Sequence, residues 1–459
     1  MKKLPAVILF ALLISPAAAA AQILHVTEDP EPMTQRCQNI AAAFHGDGDV
    51  VRVDYHGQWK TWEDGRYSQN GGPDHGPCAT EGVVRTAPDG RVVWRLRPSD
   101  SEATAGLTRR GEVDHLVAHP DGSTLMTFSQ GRSKTSHHST VVQLDSDGAP
   151  VWSFETEQAP KFSMAQVYLG DGGELFVEYH FTNYGYEGGR FQLPGGRVWK
   201  LGVNQAKTII ARIDPAKGEV LWEREAGSVI STKGGEVLAR GVRRQRAGEK
   251  VRTRHKFTRL SYAGKQLSAG YTPWMAGEPM RSAVRFGDEV WMTNTVEFDQ
   301  ARKRTGRLRV FDLEGNELHK RTISHGALLA QPGPDSPMRV LSPTHCTRDV
   351  HDSVGCITDA LDVLTLSSWD EEGTASRIRV PSHRIDYRKF QATGNPEGVW
   401  LSAQTYYEHD GGKRSVAPAV IKLFSKDADR ATRKPSEPRV WRAVEQPKAE
   451  KAAPPRLSF

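Results

Sequence analysis

A two-part unit recurs along this chain of 459 residues, and nothing else in the sequence restricts its fold as strongly. One half of the unit is a strand, a Gly/Asp turn and a second strand. It reads IAAAFHGDGDVVRVDYH from Ile40 and DHLVAHPDGSTLMTFSQ from Asp114, then MAQVYLGDGGELFVEYH from Met164 and SVISTKGGEVLARGV from Ser228. It returns as SAVRFGDEVWMTNTV from Ser282 and FQATGNPEGVWLSAQTYY from Phe390, with a degenerate copy, ALLAQPGPDSPMRVLSP, from Ala327. The other half is again strand, turn, strand. It is clear in VVRTAPDGRVVWRLRP from Val83, VVQLDSDGAPVWSFET from Val141 and IIARIDPAKGEVLWERE from Ile209. Weaker copies begin at Phe257, Leu308, Leu364 and Ala419.

Apolar residues cluster over short runs, and Asp-Gly or Gly-Asp pairs mark hairpin turns. Each pair of halves supplies four short strands over about 45–60 residues, the size of a propeller blade. A lone four-stranded sheet cannot bury both faces, whereas radial packing buries them and ring closure protects the edges. The expected fold is therefore all-β, a β-propeller of seven four-stranded blades. Fading of the sixth and seventh copies leaves six or eight open. The strand-like segment Ile23–Thr27 is expected to complete the last blade. Trp94, Trp152 and Trp222 hold one equivalent place, early in the last strand of a blade, and read as inter-blade packing residues.

Met1-Lys2-Lys3, the apolar run Leu4–Ile14 and the small residues Ala17–Ala21 fit a cleavable export signal, residues 1–21. The propeller is expected over 22–426, followed by a polar, basic, Pro/Ala-rich tail, 427–459. Loss of Lys2 and Lys3 leaves 59 basic against 55 acidic residues, a mild excess that identifies no partner. The four cysteines, in an exported chain, suggest disulfides; of the three pairings we favour Cys37–Cys78 and Cys346–Cys356.

RIDPAKGEVLWERE from Arg212 and QLDSDGAPVWSFET from Gln143 resemble the repeat of the pyrroloquinoline-quinone-type propellers, in which an Asp opens a turn, a Gly closes it and a Trp follows. That family includes quinoprotein dehydrogenases and non-enzymatic scaffold propellers, so the resemblance implies architecture more than activity. Its enzymes hold the quinone against a disulfide of adjacent cysteines, and this chain has no adjacent pair; no cofactor is expected. DHLVAHPDGSTLMTFSQ from Asp114, with HHSTVVQLDSDGAPVW from His137, is similar to arylsulfotransferase propellers. That similarity implies a channel histidine among His115, His119, His137 and His138, with no single choice.

Four segments stand out as candidate sites. The loop from His56 carries Trp59, Trp62 and Tyr67, which suit a sugar or a partner protein and equally suit a small core of their own. The segment from His180 interleaves Tyr184, Tyr186, Phe191 and Trp199 with glycines and reads as a lid or a self-packed insert. From Ala239 a run of nine Lys/Arg against one acid, Glu249, reads as an extended hairpin turning at Ala247-Gly248. Within that Arg240–Arg259 hairpin, Arg243, Arg244, Arg246, Arg252 and Arg254 could meet a polyanion or stay solvated. The loop His345–Cys356 holds His345, Asp349, His351 and Asp352 at a spacing that fits no standard zinc knuckle, so no metal is expected. No catalytic residue is assigned. The first expectation is an exported binding or scaffold module for a protein or envelope polymer. The alternative is a propeller enzyme of the arylsulfotransferase or quinoprotein type.

Overall fold

The computed structural model describes residues 22–26, 42–56, 79–87, 91–97, 111–133, 136–155, 159–160, 162–183, 189–193, 195–203, 205–247, 250–276, 280–298, 304–324, 327–331, 336–343, 357–358, 360–369, 373–379, 384–395, 398–408 and 414–423. Among them there is no helix. The strands form antiparallel meanders in chain order. The first sheet joins Ala42–Phe44, Val50–His56, Ala79–Thr86 and Val92–Leu96. The second joins Gly111–Ala118, Thr124–Ser133, Ser136–Leu144 and Pro150–Glu155. The third joins Phe162–Leu169, Leu175–Thr182, Ala206–Ile213 and Val220–Glu225. The fourth joins Ser228–Ser231, Glu236–Ala247, Lys250–Ser261 and Gln266–Tyr271. The fifth joins Met280–Phe286, Glu289–Phe298, Arg304–Asp312 and Glu317–Ser324. The sixth joins Leu328–Ala330, Met338–Pro343, Ala360–Leu366 and Thr374–Arg379.

The last sheet is built differently. Arg384–Asn395, Gly398–Glu408 and Arg414–Leu423 supply three strands, and Gln22–Val26 from the other end of the chain adds the fourth, with Ile23 opposite Ile421. The first strands of neighbouring sheets touch, the first sheet with the second, the second with the third, and so on from the fourth through to the last; the fourth also packs on the third. This is the topology of a β-propeller, closed by an N-terminal strand as the Ile23–Thr27 pattern suggested.

The core is a series of layers between sheets. Val51, Val83, Met126 and Val142 fill the space between the first two sheets; Leu125, Val141, Val177 and Ile209 fill the next. Phe176, Ile210, Val237 and Leu260 lie between the third and fourth sheets, and Leu238, Phe257, Val290 and Phe311 between the fourth and fifth. Trp291, Leu308 and Val340 continue the series. Adjacent residues such as Val141 and Val142, or Val237 and Leu238, thus feed opposite layers, because side chains alternate across a strand. Both faces are covered, so the middle strands read as unbroken apolar runs.

The repeated Asp and Gly residues build one turn many times. At Asp145 the N–H of Gly148 donates to the Asp145 carbonyl at 3.1 Å, and the carboxylate accepts the N–H groups of Asp147 and Ala149 at 2.9 and 2.8 Å. Gly148 sits at φ 84°, the left-handed residue that ends this hairpin loop. Asp312 and Gly315 repeat the arrangement.

The tryptophans join each sheet to the next. A β-carbon at Gly148 would stand 2.6 Å from Trp94, one at Gly218 2.8 Å from Trp152, and one at Gly264 2.9 Å from Trp222. Each indole of one sheet therefore lies flat on the last turn of the following sheet. Trp152 Nε1 donates to Pro215 O at 2.9 Å and Trp222 Nε1 to Tyr262 O at 2.8 Å. The fourth sheet has Ser268 at the equivalent place, and the next turn moves in until a β-carbon at Gly270 would overlap the Glu314 carbonyl. At the fifth sheet the aromatic changes sides: His319 stacks on Trp369 of the sixth sheet, with ring centroids 5.0 Å apart.

Candidate functional site

The meander topology sorts the four candidate segments. Residues 57–78 join the second and third strands of the first sheet, 183–205 those of the third, 248–249 those of the fourth, and 344–359 those of the sixth. The sheets share one sense, since the Trp–Gly contact repeats in the same order from the first to the fourth. Trp59, Trp62, Tyr67, Tyr184, Tyr186, Cys37, Cys78, Cys346 and Cys356 lie outside the described residues, as do His345, Asp349, His351 and Asp352.

The basic hairpin is formed as the charge run suggested, but Ala247 is not in the turn: it ends the strand, paired opposite Lys250. Its register puts Arg243 directly opposite Arg254. Like charges in that position repel, and no carboxylate among the described residues lies within ion-pair distance of Arg243, Arg244, Arg246, Arg252 or Arg254. Aromatic rings take up part of the charge. The Tyr271 ring lies 4.4 Å from the Arg254 guanidinium carbon and 5.4 Å from that of Arg243; Trp274 lies 4.8 Å from Arg254. Tyr271 and Trp274 are themselves 38 % exposed. Arg243, Arg252, Arg254 and Tyr271 share the face toward the third sheet. Arg244 and Arg246 are exposed on the other.

Strand alternation explains why the hairpin holds this shape. Thr253, His255 and Phe257 occupy the opposite face and are buried toward the fifth sheet. Thr272 caps the edge: its N–H donates to His255 O and its hydroxyl accepts the His255 N–H, both at 2.9 Å. Burial, reinforced by the nearby Arg240, holds the His255 imidazole down at about 3; burial lowers Arg240 itself to about 10 against the raising effect of Glu178.

Trp199 belongs to an inserted hairpin, Gly189–Gln192 with Val198–Leu201, in which it faces Phe191. Phe191 stacks on Phe181 at 3.7 Å, fixing the insert to the third sheet. Trp199 is buried, and its indole N–H donates to Glu223 Oε2 at 3.1 Å. Burial raises Glu223, and hydrogen bonds from Trp199 and Gly195 oppose the rise. Arg197 lies 4.1 Å over the Trp199 ring. Beside this pair opens a cleft of about 480 Å³ between the third and fourth sheets, walled by Arg197, Trp199, Arg224, Glu225, Thr258 and the turn 263–266.

Of the four histidines that the arylsulfotransferase similarity singled out, His115 accepts the Val167 N–H at Nδ1, 3.3 Å away, and burial holds it at about 4. His119 reaches the Gly173 carbonyl at 3.1 Å and pairs with Asp121 at 2.7 Å. His45, at the same turn position one sheet earlier, reaches Thr124 at 3.1 Å. These rings tie a sheet to its neighbour. His137 and His138 lie on a described strand, but their side chains lie outside the described set. Among the described residues no group of three His, Cys, Asp or Glu is placed to hold a metal.

Sequence reasoning did not single out Tyr271, Trp274, Arg197, Arg224 or Thr258. Tyr271 ends, and Trp274 follows, the fourth strand of the sheet whose repeat has lost its tryptophan, and YTPW was the available signal.

No protein-family model matches the chain, and no curated protein matches it. Solved structures similar in shape include quinohemoprotein alcohol dehydrogenase from Comamonas testosteroni, 10 % identical, covering 89 % of this chain and 76 % of that one, TM-score 0.38. The polysaccharide lyase Uly1 is 9 % identical over 88 % of this chain and 98 % of its own, TM-score 0.40. A protein of unknown function from Dyadobacter fermentans is 10 % identical over 89 % and 99 %, TM-score 0.37. Likenesses at this level carry no functional argument. The chain's own sheet topology defines it as a β-propeller.

Proposed function

We propose that the chain is an exported, seven-bladed β-propeller that acts as a binding module for an anionic envelope polymer. The fourth-sheet hairpin grips the polymer. The observation that carries this reading is the set of five arginines, Arg243, Arg244, Arg246, Arg252 and Arg254, on two paired strands with no carboxylate partner among the described residues. Holding Arg243 opposite Arg254 is unfavourable in the free protein, and an anion laid across the pair relieves the repulsion. Export is supported by the tripartite pattern at residues 1–21. The histidines described above are engaged in contacts between sheets, and none of those contacts favours a catalytic reading.

Retention on immobilised heparin, a sulfated linear polymer, tests the proposal. The wild-type chain is expected to need more salt for elution than Arg243→Ser/Arg254→Ser, with Trp59→Ala/Trp62→Ala run beside them. Equal elution of wild type and the arginine variant removes the hairpin from the account.

A further inference from the structure

We infer that the cleft between the third and fourth sheets is a shaped site for one acidic sugar unit, the point at which the bound polymer is recognised by form as well as by charge. This rests on the polymer-binding reading above and deepens it. The cleft, about 480 Å³, has the size of a small-molecule site. Its walls carry complementary chemistry. Among the described residues Arg224 uses only Nε, on the Gly264 carbonyl at 3.2 Å, so both terminal nitrogens remain for a carboxylate or sulfate fork. Lys265 is exposed on the same wall, and Arg197 is spread over Trp199. Thr258 is 4 % exposed, and its hydroxyl has no hydrogen-bond partner among the described residues. A buried hydroxyl left this way is uncommon, and a sugar hydroxyl or a water carried by one supplies the missing bond.

The cleft runs into the arginine row. Thr258, Lys256, Arg254 and Arg252 alternate along one face of Lys250–Ser261, a span of roughly 20 Å at strand spacing. Ala239, Gly241 and Ala269 lie beside them in register, so the floor between the two cationic features is made of small residues. A linear chain fits such a track. A single-stranded nucleic acid fits it less well, because binding of that kind relies on free aromatic faces for its bases. Here guanidinium groups already lie over Trp199, Tyr271 and Trp274.

Calorimetric titration with tetragalacturonate tests the inference, with neutral tetragalactose, inorganic sulfate and an oligo-dT of equal charge as separate arms. The wild-type chain is expected to bind tetragalacturonate, with no binding of the neutral tetramer and with sulfate and oligo-dT at least tenfold weaker. Arg224→Gln is expected to weaken the tetramer tenfold or more, and Thr258→Val and Lys265→Gln severalfold each. The exposed Lys265 keeps the test valid if a buried substitution unfolds the chain. Unchanged tetramer affinity in all three variants overturns the cleft site. So does oligo-dT binding as tightly as the tetramer, which assigns the track to nucleic acid. Loss of heparin retention in Arg243→Ser/Arg254→Ser, with the cleft variants unchanged, overturns the cleft while leaving the hairpin reading standing. Heparin retention unchanged in that arginine variant, with tetramer binding lost in the cleft variants, overturns the hairpin alone.

Discussion

Trp152 lies against the turn of the next sheet so closely that a β-carbon at Gly218 would stand 2.8 Å from its Cδ2 atom. Gly218 also holds φ 72°, which an L side chain adopts at a cost of about 1–2 kcal/mol. Gly218→Ala therefore combines backbone strain with overpacking and should lower unfolding stability by about 2–4 kcal/mol. Gly234, at φ 68° with open space around it, isolates the strain alone. Gly234→Ala should cost about 1–2 kcal/mol in urea titration. Equal losses in the two variants would show that the indole contact contributes nothing.

Trp94 and Trp152 occupy equivalent places and differ in one bond. Trp152 Nε1 donates to Pro215 O, whereas Trp94 Nε1 is buried without a partner among the described residues. At the first seam Arg85 donates to Ser146 O at 3.4 Å, the carbonyl two residues before the turn glycine Gly148. Replacing each indole by phenylalanine removes similar apolar area but only one satisfied donor. Trp152→Phe should exceed Trp94→Phe in cost by about 1 kcal/mol. A larger loss at Trp94, measured by the same denaturation, would contradict the pairing.

How much of this was legible in the sequence depends on where the contact partner lies. Turns such as Asp145–Gly148 announce themselves, because residues four apart make the whole bond set. The arginine hairpin was equally readable, since its charge run and its turn are contiguous. Gly270 was not, because its role is to admit Glu314 from the next sheet. Nor was the exchange of partners at His319 and Trp369, 50 residues apart, where the aromatic leaves its repeat position and returns across the seam. Tyr271 and Trp274 escaped notice for the same reason: their cations belong to a neighbouring strand. Trp59, Trp62, Tyr67, Tyr184, Tyr186 and all four cysteines fall outside the described residues, so those expectations stand as sequence readings.

Buried histidines set an acid limit. Burial holds His115 at about 4, burial with Arg85 holds His45 at about 4, and burial with Arg240 holds His255 at about 3, all below the ordinary 6.5. The unfolded chain therefore binds more protons than the folded one below about pH 6.5, and stability falls as pH drops from there toward the folded values. Burial raises Glu178 and Glu223, which oppose the trend by favouring the folded state as they protonate. The net loss between pH 7 and pH 5 should be about 3–5 kcal/mol, from three groups each giving about 1.4 kcal/mol per pH unit less the opposing share. Thermal melts across that range check it, and His115→Gln should flatten the curve. A melting temperature that holds constant from pH 7 to pH 5 would contradict the assignment.

Glu236 ties the fourth sheet to the fifth: it is 5 % exposed and pairs with Arg259 at 2.9 Å and Arg285 at 2.5 Å. Glu236→Gln leaves Arg259 with Glu314 at 3.9 Å and Arg285 with Asp288 at 3.8 Å as their remaining described carboxylates, and should cost about 2–3 kcal/mol, between the surface-pair and buried-pair ranges. A loss below about 1 kcal/mol, the scale of a surface pair, would show that water compensates these arginines.

The salt dependence of polymer binding tests the central claim most directly. Each guanidinium that meets an anionic group releases about one counterion, so the slope of log affinity against log salt counts the arginines in contact. For heparin binding the account predicts a slope shallower by about 1–2 units in Arg243→Gln/Arg254→Gln than in the wild-type chain. Identical slopes for the two proteins would contradict it.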